Sequence, residues 1–178
     1  EQNAISMYKI ANELDSIEIK GIDCHIGSQI TELQPFEDSI NKLLTLIDRL
    51  KSIDISIEHI DIGGGIGIKY SDEVPPTFSD YASTVKNILK DRDIKIIFEP
   101  GRALIGKAGI LLTEVEYIKH SLEKNFIIID AAMNDLMRPS LYGAFHEIIN
   151  LSPTDSEKKH YDIVGPVCET GDFLGKDR

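Results

Sequence analysis

The sequence predicts an α/β fold followed by a β-rich one: the C-terminal part of a (β/α)8 barrel, then part of a barrel-like β domain. Three motifs each follow a short apolar run: H-I-G-S-Q at residues 25–29, D-I-G-G-G at 61–65 and E-P-G-R at 99–102. Gly63 follows His25 by 38 residues and Glu99 follows Gly63 by 36, close to the roughly 31 residues of one barrel unit. Beyond Arg102 the apolar runs follow one another without long helical patterns.

Helical and extended patterns alternate in the first part of the chain. Apolar residues recur at helical spacing in 5–15, 33–50 and 78–89, and branched residues predict strands at 21–26, 55–62 and 94–98. In the second helix Pro35 suits the first turn, and Thr31 with Glu32 is expected to cap it. The run at 94–98 is almost wholly apolar, which predicts a strand covered on both faces. The apolar face of the second helix comprises Leu33, Phe36, Ile40, Leu43, Leu44, Ile47 and Leu50.

In the part of the chain after Arg102, the pattern predicts successive strands separated by polar stretches such as 152–160. We expect these strands at 110–118, 126–129, 141–151 and 161–164. A boundary near Lys107 divides the chain into a partial barrel, 1–107, and a partial β domain, 108–178. A whole barrel needs about 250 residues, whereas this chain has 178 and begins with Glu1 rather than Met. We therefore expect a segment of a longer protein.

Composition narrows the classes of function. The net charge of −11 and the pI near 4.8 argue against nucleic acid as a partner. No apolar run approaches the roughly 18 residues of a transmembrane helix, and the first twenty residues lack a secretory pattern, so we expect a cytoplasmic protein without membrane contact. Cys24 and Cys168 lie far apart without C-x-x-C spacing, which argues against a disulfide framework and against a zinc site. No metal is expected.

The glycine motif suits an anion. Without side chains, the backbone N–H groups of Gly63, Gly64 and Gly65 are free to approach a phosphate. A Gly-rich turn of this kind is about as often only a tight connection between strand and helix. Taken alone, the motif leaves both readings open.

The other two motifs add charge and a flat ring. Pro100 fixes the backbone beyond a strand, where the Glu99 carboxylate could hold a protonated heterocyclic nitrogen and Arg102 could bind a phosphate or carboxylate. The alternative is a structural ion pair. The His25 ring could stack on a flat cofactor while the Ser28 hydroxyl reaches its phosphate; the alternative is a buried histidine at a strand end. Together, the motifs predict a site for a phosphate-bearing cofactor.

Two further motifs identify a family. D-A-A-M-N-D-L-M-R-P-S-L-Y-G-A at 130–144 and G-P-V-C-E at 165–169 follow the three strand-end motifs. In this order the motifs closely resemble the diaminopimelate decarboxylase family, part of the alanine-racemase-like, fold type III class of pyridoxal-phosphate enzymes. The resemblance covers essentially all 178 residues. It implies pyridoxal 5'-phosphate as cofactor and decarboxylation of meso-2,6-diaminopimelate to L-lysine and CO2, a step of lysine biosynthesis.

The resemblance also implies roles in the first domain. His25 would act in catalysis by stacking on the pyridine ring, and Glu99 would pair with the pyridine nitrogen. Ser28 and the backbone of Gly63, Gly64 and Gly65 would bind the cofactor phosphate, and Pro100, Gly101 and Arg102 would complete the contacts with phosphate and substrate.

In the second domain the resemblance assigns Arg138 and Tyr142 to the distal end of the substrate, and Glu169 to an ammonium group. It assigns Cys168 to proton donation in the active site of a partner subunit, which implies a homodimer. A guanidinium, a phenol and a carboxylate match a diamino-dicarboxylic acid. By residue type alone, Arg138 with Tyr142 is an ordinary surface pair and Cys168 a buried small apolar residue.

One residue of the family pattern has no counterpart. Family members attach the cofactor to a lysine on an early barrel strand, and neither Lys20 nor Lys69 lies in such a motif. We therefore expect the chain alone to be inactive and the activity to belong to a longer protein. Two alternatives stay open: a non-catalytic fragment, or a related decarboxylase acting on ornithine, arginine or carboxynorspermidine.

Overall fold

Short parallel strands alternate with longer helices in the first half of the molecule. The structure is a computed structural model that describes residues 2–153 and 157–178. Its first elements are α1 Gln2–Asn12, β1 Gly21–Asp23, α2 Gln34–Lys51, β2 His59–Asp61, α3 Phe78–Leu89, β3 Lys95–Ile97 and the single turn α4 Arg102–Ile105. The strands form a parallel sheet in the order β1-β2-β3. The predicted order β-α-β-α-β is confirmed.

One face of this sheet forms the core with the helices. Ile22 and Ile60 pair across β1 and β2 and are buried, whereas Gly21, Asp23, His59 and Asp61 line an open cleft. This division follows because successive side chains of a strand point to opposite faces. Helix α2 buries the predicted apolar face except for Leu33, which is partly buried; the buried residues are Phe36, Ile40, Leu43, Leu44, Leu46, Ile47 and Leu50.

Two local expectations for the first unit are wrong. Leu33 is the N-cap of α2 and no side chain caps the helix, because the helix begins at Gln34, too far along the chain for Thr31 to reach its first turn. Strand β3 is not covered on both faces: Lys95 is exposed and Ile97 is 41% exposed. Among the described residues β3 pairs only with β2, so it lies at the edge of the sheet.

The second half is built on a mixed four-stranded sheet. Strands β4 and β5 form an antiparallel hairpin, β5 pairs in parallel with β6, and β6 pairs antiparallel with β7. A small core of Ile129, Ala131, Ile163 and Leu174 lies against it. The elements are β4 Val115–His120, β5 Asn125–Ile129, α5 Arg138–Tyr142, β6 Asp162–Val164 and β7 Phe173–Gly175.

The strand predicted at 141–151 is wrong. Arg138–Tyr142 is a helical turn, and residues 144–150 have no regular structure. Pro139 suits the first turn of the helix, and Gly143, at φ 61°, ends it in the left-handed conformation. The strand predicted at 110–118 begins only at Val115, and β7 was not predicted. Residues 154–156 of the predicted polar stretch lie outside the described residues.

The chain divides into two compact units. One contains the residues up to Lys69 together with Glu73–Ala108, and the other contains Tyr70–Asp72 and Gly109–Arg178. Of the helices described in either unit, none is both long and apolar enough to cross a bilayer.

Candidate functional site

The three strand-end motifs meet at one edge of the first sheet. Beyond the strands, Ile62 N–H donates to the Ile97 carbonyl at 3.2 Å, and Glu99 N–H donates to the Gly63 carbonyl at 2.8 Å. The parallel pairing therefore continues past β2 and β3 into the motifs. Gly63 also lies against His25, since a Cβ on Gly63 would be 2.9 Å from the His25 ring. The expectation that the motifs follow neighbouring parallel strands is confirmed.

Hydrogen bonds fix the glycine loop. Gly64 N–H donates to His25 Nδ1 at 3.3 Å, and Gly63 N–H donates to the Asp61 carboxylate at 2.8 Å. Two of the three glycine N–H groups therefore have partners within the protein. An anion at this loop must compete for them or bind beside them.

The backbone geometry explains the glycines. Gly63 and Gly65 have φ values of 65° and 107°, in the region that favours glycine. At Gly64 the reason is space, because a Cβ would lie 2.2 Å from the Glu99 carbonyl oxygen. The loop thus lies directly against the strand end that carries E-P-G-R.

Three carboxylates gather on the open face of the sheet. Oxygen atoms of Asp23, Asp61 and Glu99 lie within 4.8 Å of one another. Their combined negative potential favours a cation, such as a protonated ring nitrogen, beside Glu99. We did not predict Asp23 and Asp61 as site residues. The alternation of buried isoleucines with polar residues along β1 and β2 was the sequence signal that could have identified them.

Arg102 is linked to the first motif. Arg102 Nη1 donates to Gln29 Oε1 at 3.2 Å, so residues 73 positions apart are in contact. The other residues predicted for the site in this unit are Ser28, Pro100 and Gly101. All three are exposed, and in the sequence they directly precede Gln29 or Arg102. The side chain of His25 is also exposed, contrary to the alternative of a buried histidine.

In the second unit Arg138 is held by two rings. Its guanidinium lies 4.8 Å from the centroid of the Tyr70 ring, and its Nη1 lies 3.0 Å from His146 Nε2. Because arginine only donates, the histidine nitrogen accepts. Among the described residues, Arg138 forms no salt bridge with a carboxylate. Tyr142 is 72% exposed at the end of α5. No motif pointed to Tyr70 or His146.

The V-C-E motif forms a tight turn. Cys168 is an exposed free thiol, contrary to the alternative of a buried apolar residue. The Glu169 carboxylate accepts from Gly171 N–H at 2.9 Å and from the Thr170 hydroxyl at 3.0 Å, and these bonds lower the pKa of its carboxyl group. Glu169 therefore carries a negative charge near neutral pH. The other cysteine, Cys24, is partly buried.

Comparison with known proteins identifies the family. Residues 1–106 match the family described as pyridoxal-dependent decarboxylase, pyridoxal binding domain. Diaminopimelate decarboxylase of Vibrio cholerae is 55% identical over 176 residues, which cover 98% of this chain and 42% of that protein. The chain thus spans about two-fifths of the length of the curated relatives it matches.

Solved structures give the same result. Protein AQ1208 of Aquifex aeolicus has a TM-score of 0.95 and 46% identity, covering 99% of this chain and 44% of that one. Diaminopimelate decarboxylase of Helicobacter pylori, complexed with L-lysine, has a TM-score of 0.91 and 39% identity, with coverages of 99% and 44%. The resemblance drawn from the sequence is confirmed. Since the family model matches more than half of its residues, the chain belongs to the pyridoxal-dependent decarboxylases.

Proposed function

We propose that this chain is part of a pyridoxal-phosphate-dependent decarboxylase that converts meso-2,6-diaminopimelate to L-lysine and CO2. The observation that carries the proposal is the meeting of His25, the glycine loop and Glu99 at one edge of a parallel sheet. The substrate follows from the 55% identical relative, which is a diaminopimelate decarboxylase.

The residues at this edge fit the cofactor. The glycine loop has no side chains, and a Cβ at Gly64 would collide with the backbone of Glu99. A hydroxyl at Ser28, a guanidinium at Arg102 and the backbone N–H of Gly101, where a Cβ would meet no atom within 4 Å, are suitable donors for a phosphate. When bound, pyridoxal phosphate supplies an electron sink for the carbanion left as CO2 departs.

Glu99 and His25 act on the ring of the cofactor in this proposal. The Glu99 carboxylate would hold a proton on the ring nitrogen, and the neighbouring Asp23 and Asp61 carboxylates would strengthen the preference for a positive charge there. The His25 imidazole would stack on the ring. The hydrogen bond from Gly64 N–H fixes the direction of that imidazole.

Arg138, Tyr142 and Glu169 recognise the substrate. Among the described residues the guanidinium of Arg138 contacts His146 and Tyr70 and forms no salt bridge with a carboxylate, which leaves its charge for the distal carboxylate of the substrate. The exposed Tyr142 hydroxyl adds a hydrogen bond. The ionised Glu169 binds an ammonium group, and Arg102 contacts the substrate or the phosphate.

Cys168 donates a proton after CO2 departs. An exposed thiol beside an ionised carboxylate is available to a second molecule. We propose that the enzyme is a cytoplasmic homodimer in which Cys168 and Glu169 serve the active site of the partner subunit. We further propose that the pyridoxal-binding domain ends near residue 107 and that the β domain begins there.

An assay of the full-length protein tests the function. With pyridoxal phosphate, meso-diaminopimelate should yield equal amounts of L-lysine and CO2, whereas ornithine and arginine should yield none. Turnover of ornithine but not diaminopimelate would overturn the substrate and favour the alternative decarboxylase. For the 178-residue chain alone, treatment with pyridoxal phosphate and borohydride should trap no adduct. A trapped adduct would contradict the expectation that no lysine of this chain attaches the cofactor.

A further inference from the structure

Gln29 has an unusual backbone and a partly buried side chain. Its φ is 61°, in the left-handed region that only a few per cent of residues other than glycine adopt. Such a conformation persists where surrounding contacts hold it. Gln29 is the last residue of the H-I-G-S-Q motif, and the proposed function gives it no role.

The carboxamide of Gln29 joins three segments. Its Nε2 donates to the Ile68 carbonyl at 2.6 Å, and its Oε1 accepts from Ile68 N–H at 3.1 Å. The same Oε1 accepts from Arg102 Nη1 at 3.2 Å. Gln29 follows β1, Ile68 follows β2 and Arg102 follows β3. The two bonds to Ile68 fix the carboxamide, so the oxygen that accepts the hydrogen bond from Arg102 is itself held in place.

We propose that Gln29 is a positioning residue that directs the Arg102 guanidinium toward an anionic group of the ligand. The inference rests on the proposed function, in which Arg102 contacts the cofactor phosphate or a substrate carboxylate. A neutral acceptor suits this task because it holds one N–H of the guanidinium and, unlike a carboxylate, does not neutralise its charge. Fixing a long side chain in advance also lowers the entropy lost on binding.

Two substitutions separate this role from loop packing. Gln29→Asn tolerates a positive φ but shortens the side chain by one methylene, and Gln29→Gly relaxes the backbone and removes the carboxamide. Each is made in the full-length enzyme with Arg102 present and with Arg102→Lys, which keeps the charge but loses the planar fork. Gln34→Asn is the matched control, since Gln34 is an exposed residue whose side chain donates to Asp38 within the same helix, α2.

The measurements are kcat/KM for meso-diaminopimelate and the Kd of pyridoxal phosphate. We expect both Gln29 variants to lower kcat/KM at least tenfold when Arg102 is present, and less than twofold further when residue 102 is lysine. A weaker Kd for pyridoxal phosphate identifies the phosphate as the anion; a higher KM at unchanged Kd identifies the substrate carboxylate.

Two results would overturn the inference: kcat/KM of Gln29→Gly within twofold of wild type, or the same loss in both Arg102 backgrounds. The second result would indicate a packing role that does not involve Arg102. Wild-type activity reports on the proposed function separately. A wild-type enzyme inactive on diaminopimelate would refute that function, whereas an active wild type with active Gln29 variants refutes only the role of Gln29.

Discussion

The backbone N–H of Gly64 donates a hydrogen bond to Nδ1 of His25 over 3.3 Å. Because Nδ1 accepts, a neutral His25 ring carries its proton on Nε2. The loop proposed to hold the cofactor phosphate therefore also orients the imidazole proposed to stack on the cofactor ring.

Replacing the His25 ring should weaken cofactor binding. His25→Asn removes the flat ring and should raise the Kd of pyridoxal phosphate about three- to tenfold, as expected for a lost aromatic stack. His25→Phe keeps a flat ring and should raise it less. Spectrophotometric titration measures both values, with His120→Asn, at an exposed strand position, as the control. Equal losses in the two His25 variants would count against stacking.

Gly64→Ala should destabilise the first unit. The added methyl would lie 2.2 Å from the Glu99 carbonyl, and backbone rather than a flexible side chain must move, so we expect a loss of about 1–3 kcal/mol in unfolding free energy. Gly109→Ala, whose Cβ would meet no atom within 4 Å, should change it by less than about 0.5 kcal/mol. Urea unfolding of the two variants makes the comparison; equal stabilities would show that the strand ends are not tightly packed.

Arg138→Ala should impair use of the substrate. Loss of a guanidinium that pairs with the buried distal carboxylate of the substrate should lower kcat/KM by the equivalent of about 2–4 kcal/mol, mostly through a higher KM. Steady-state kinetics with meso-diaminopimelate measure the change. Arg92→Ala removes an exposed arginine paired with Asp48 and should leave kcat/KM unchanged. A wild-type kcat/KM in Arg138→Ala would refute the proposed contact.

Cys168→Ala should slow turnover without weakening cofactor binding. Loss of a positioned proton donor costs about 10²–10⁴-fold, so kcat should fall at least 100-fold while the Kd of pyridoxal phosphate stays constant. Cys24→Ala is the control, since that thiol is partly buried in the first unit. If both variants turn over like wild type, another group donates the proton.

The stability of the second unit should depend on pH through Asp162. Burial raises the pKa of this carboxyl, but hydrogen bonds from the Lys124 ammonium and Asp177 N–H outweigh it and leave the pKa lowered. The unfolded chain therefore binds the proton more readily than the folded one. The contribution of Asp162 to the free energy of unfolding is complete above the unfolded pKa of about 3.9, and it disappears as the pH falls through the folded pKa.

Asp162→Asn tests this dependence. The variant should lose about 1–2 kcal/mol of unfolding free energy at pH 7 and should show a smaller decline than wild type between pH 5 and pH 2. Urea unfolding across that range measures it. Identical pH profiles for the two proteins would exclude Asp162 as the source.

Local signals in the sequence were enough for much of the fold. The face of α2 follows from apolar spacing, and the strand-end motifs follow from Gly, Pro and short branched runs. The same kind of reasoning failed at 141–151, where apolar residues suggested a strand although Pro139 and Gly143 favour a short helix. There the proline and the glycine indicated the local structure better than the run of apolar residues did.

By itself the sequence determined the β-α-β-α-β order of the first unit, the family and the positions of the strand-end motifs, since these depend on residue type and spacing along the chain. The tertiary structure alone decided which side chains meet. The contact between Gln29 and Arg102 and the cluster of Asp23, Asp61 and Glu99 depend on the register of strands separated by whole helices. No local pattern encodes that register, because it is set by how the isoleucine faces of the strands pack against the helices.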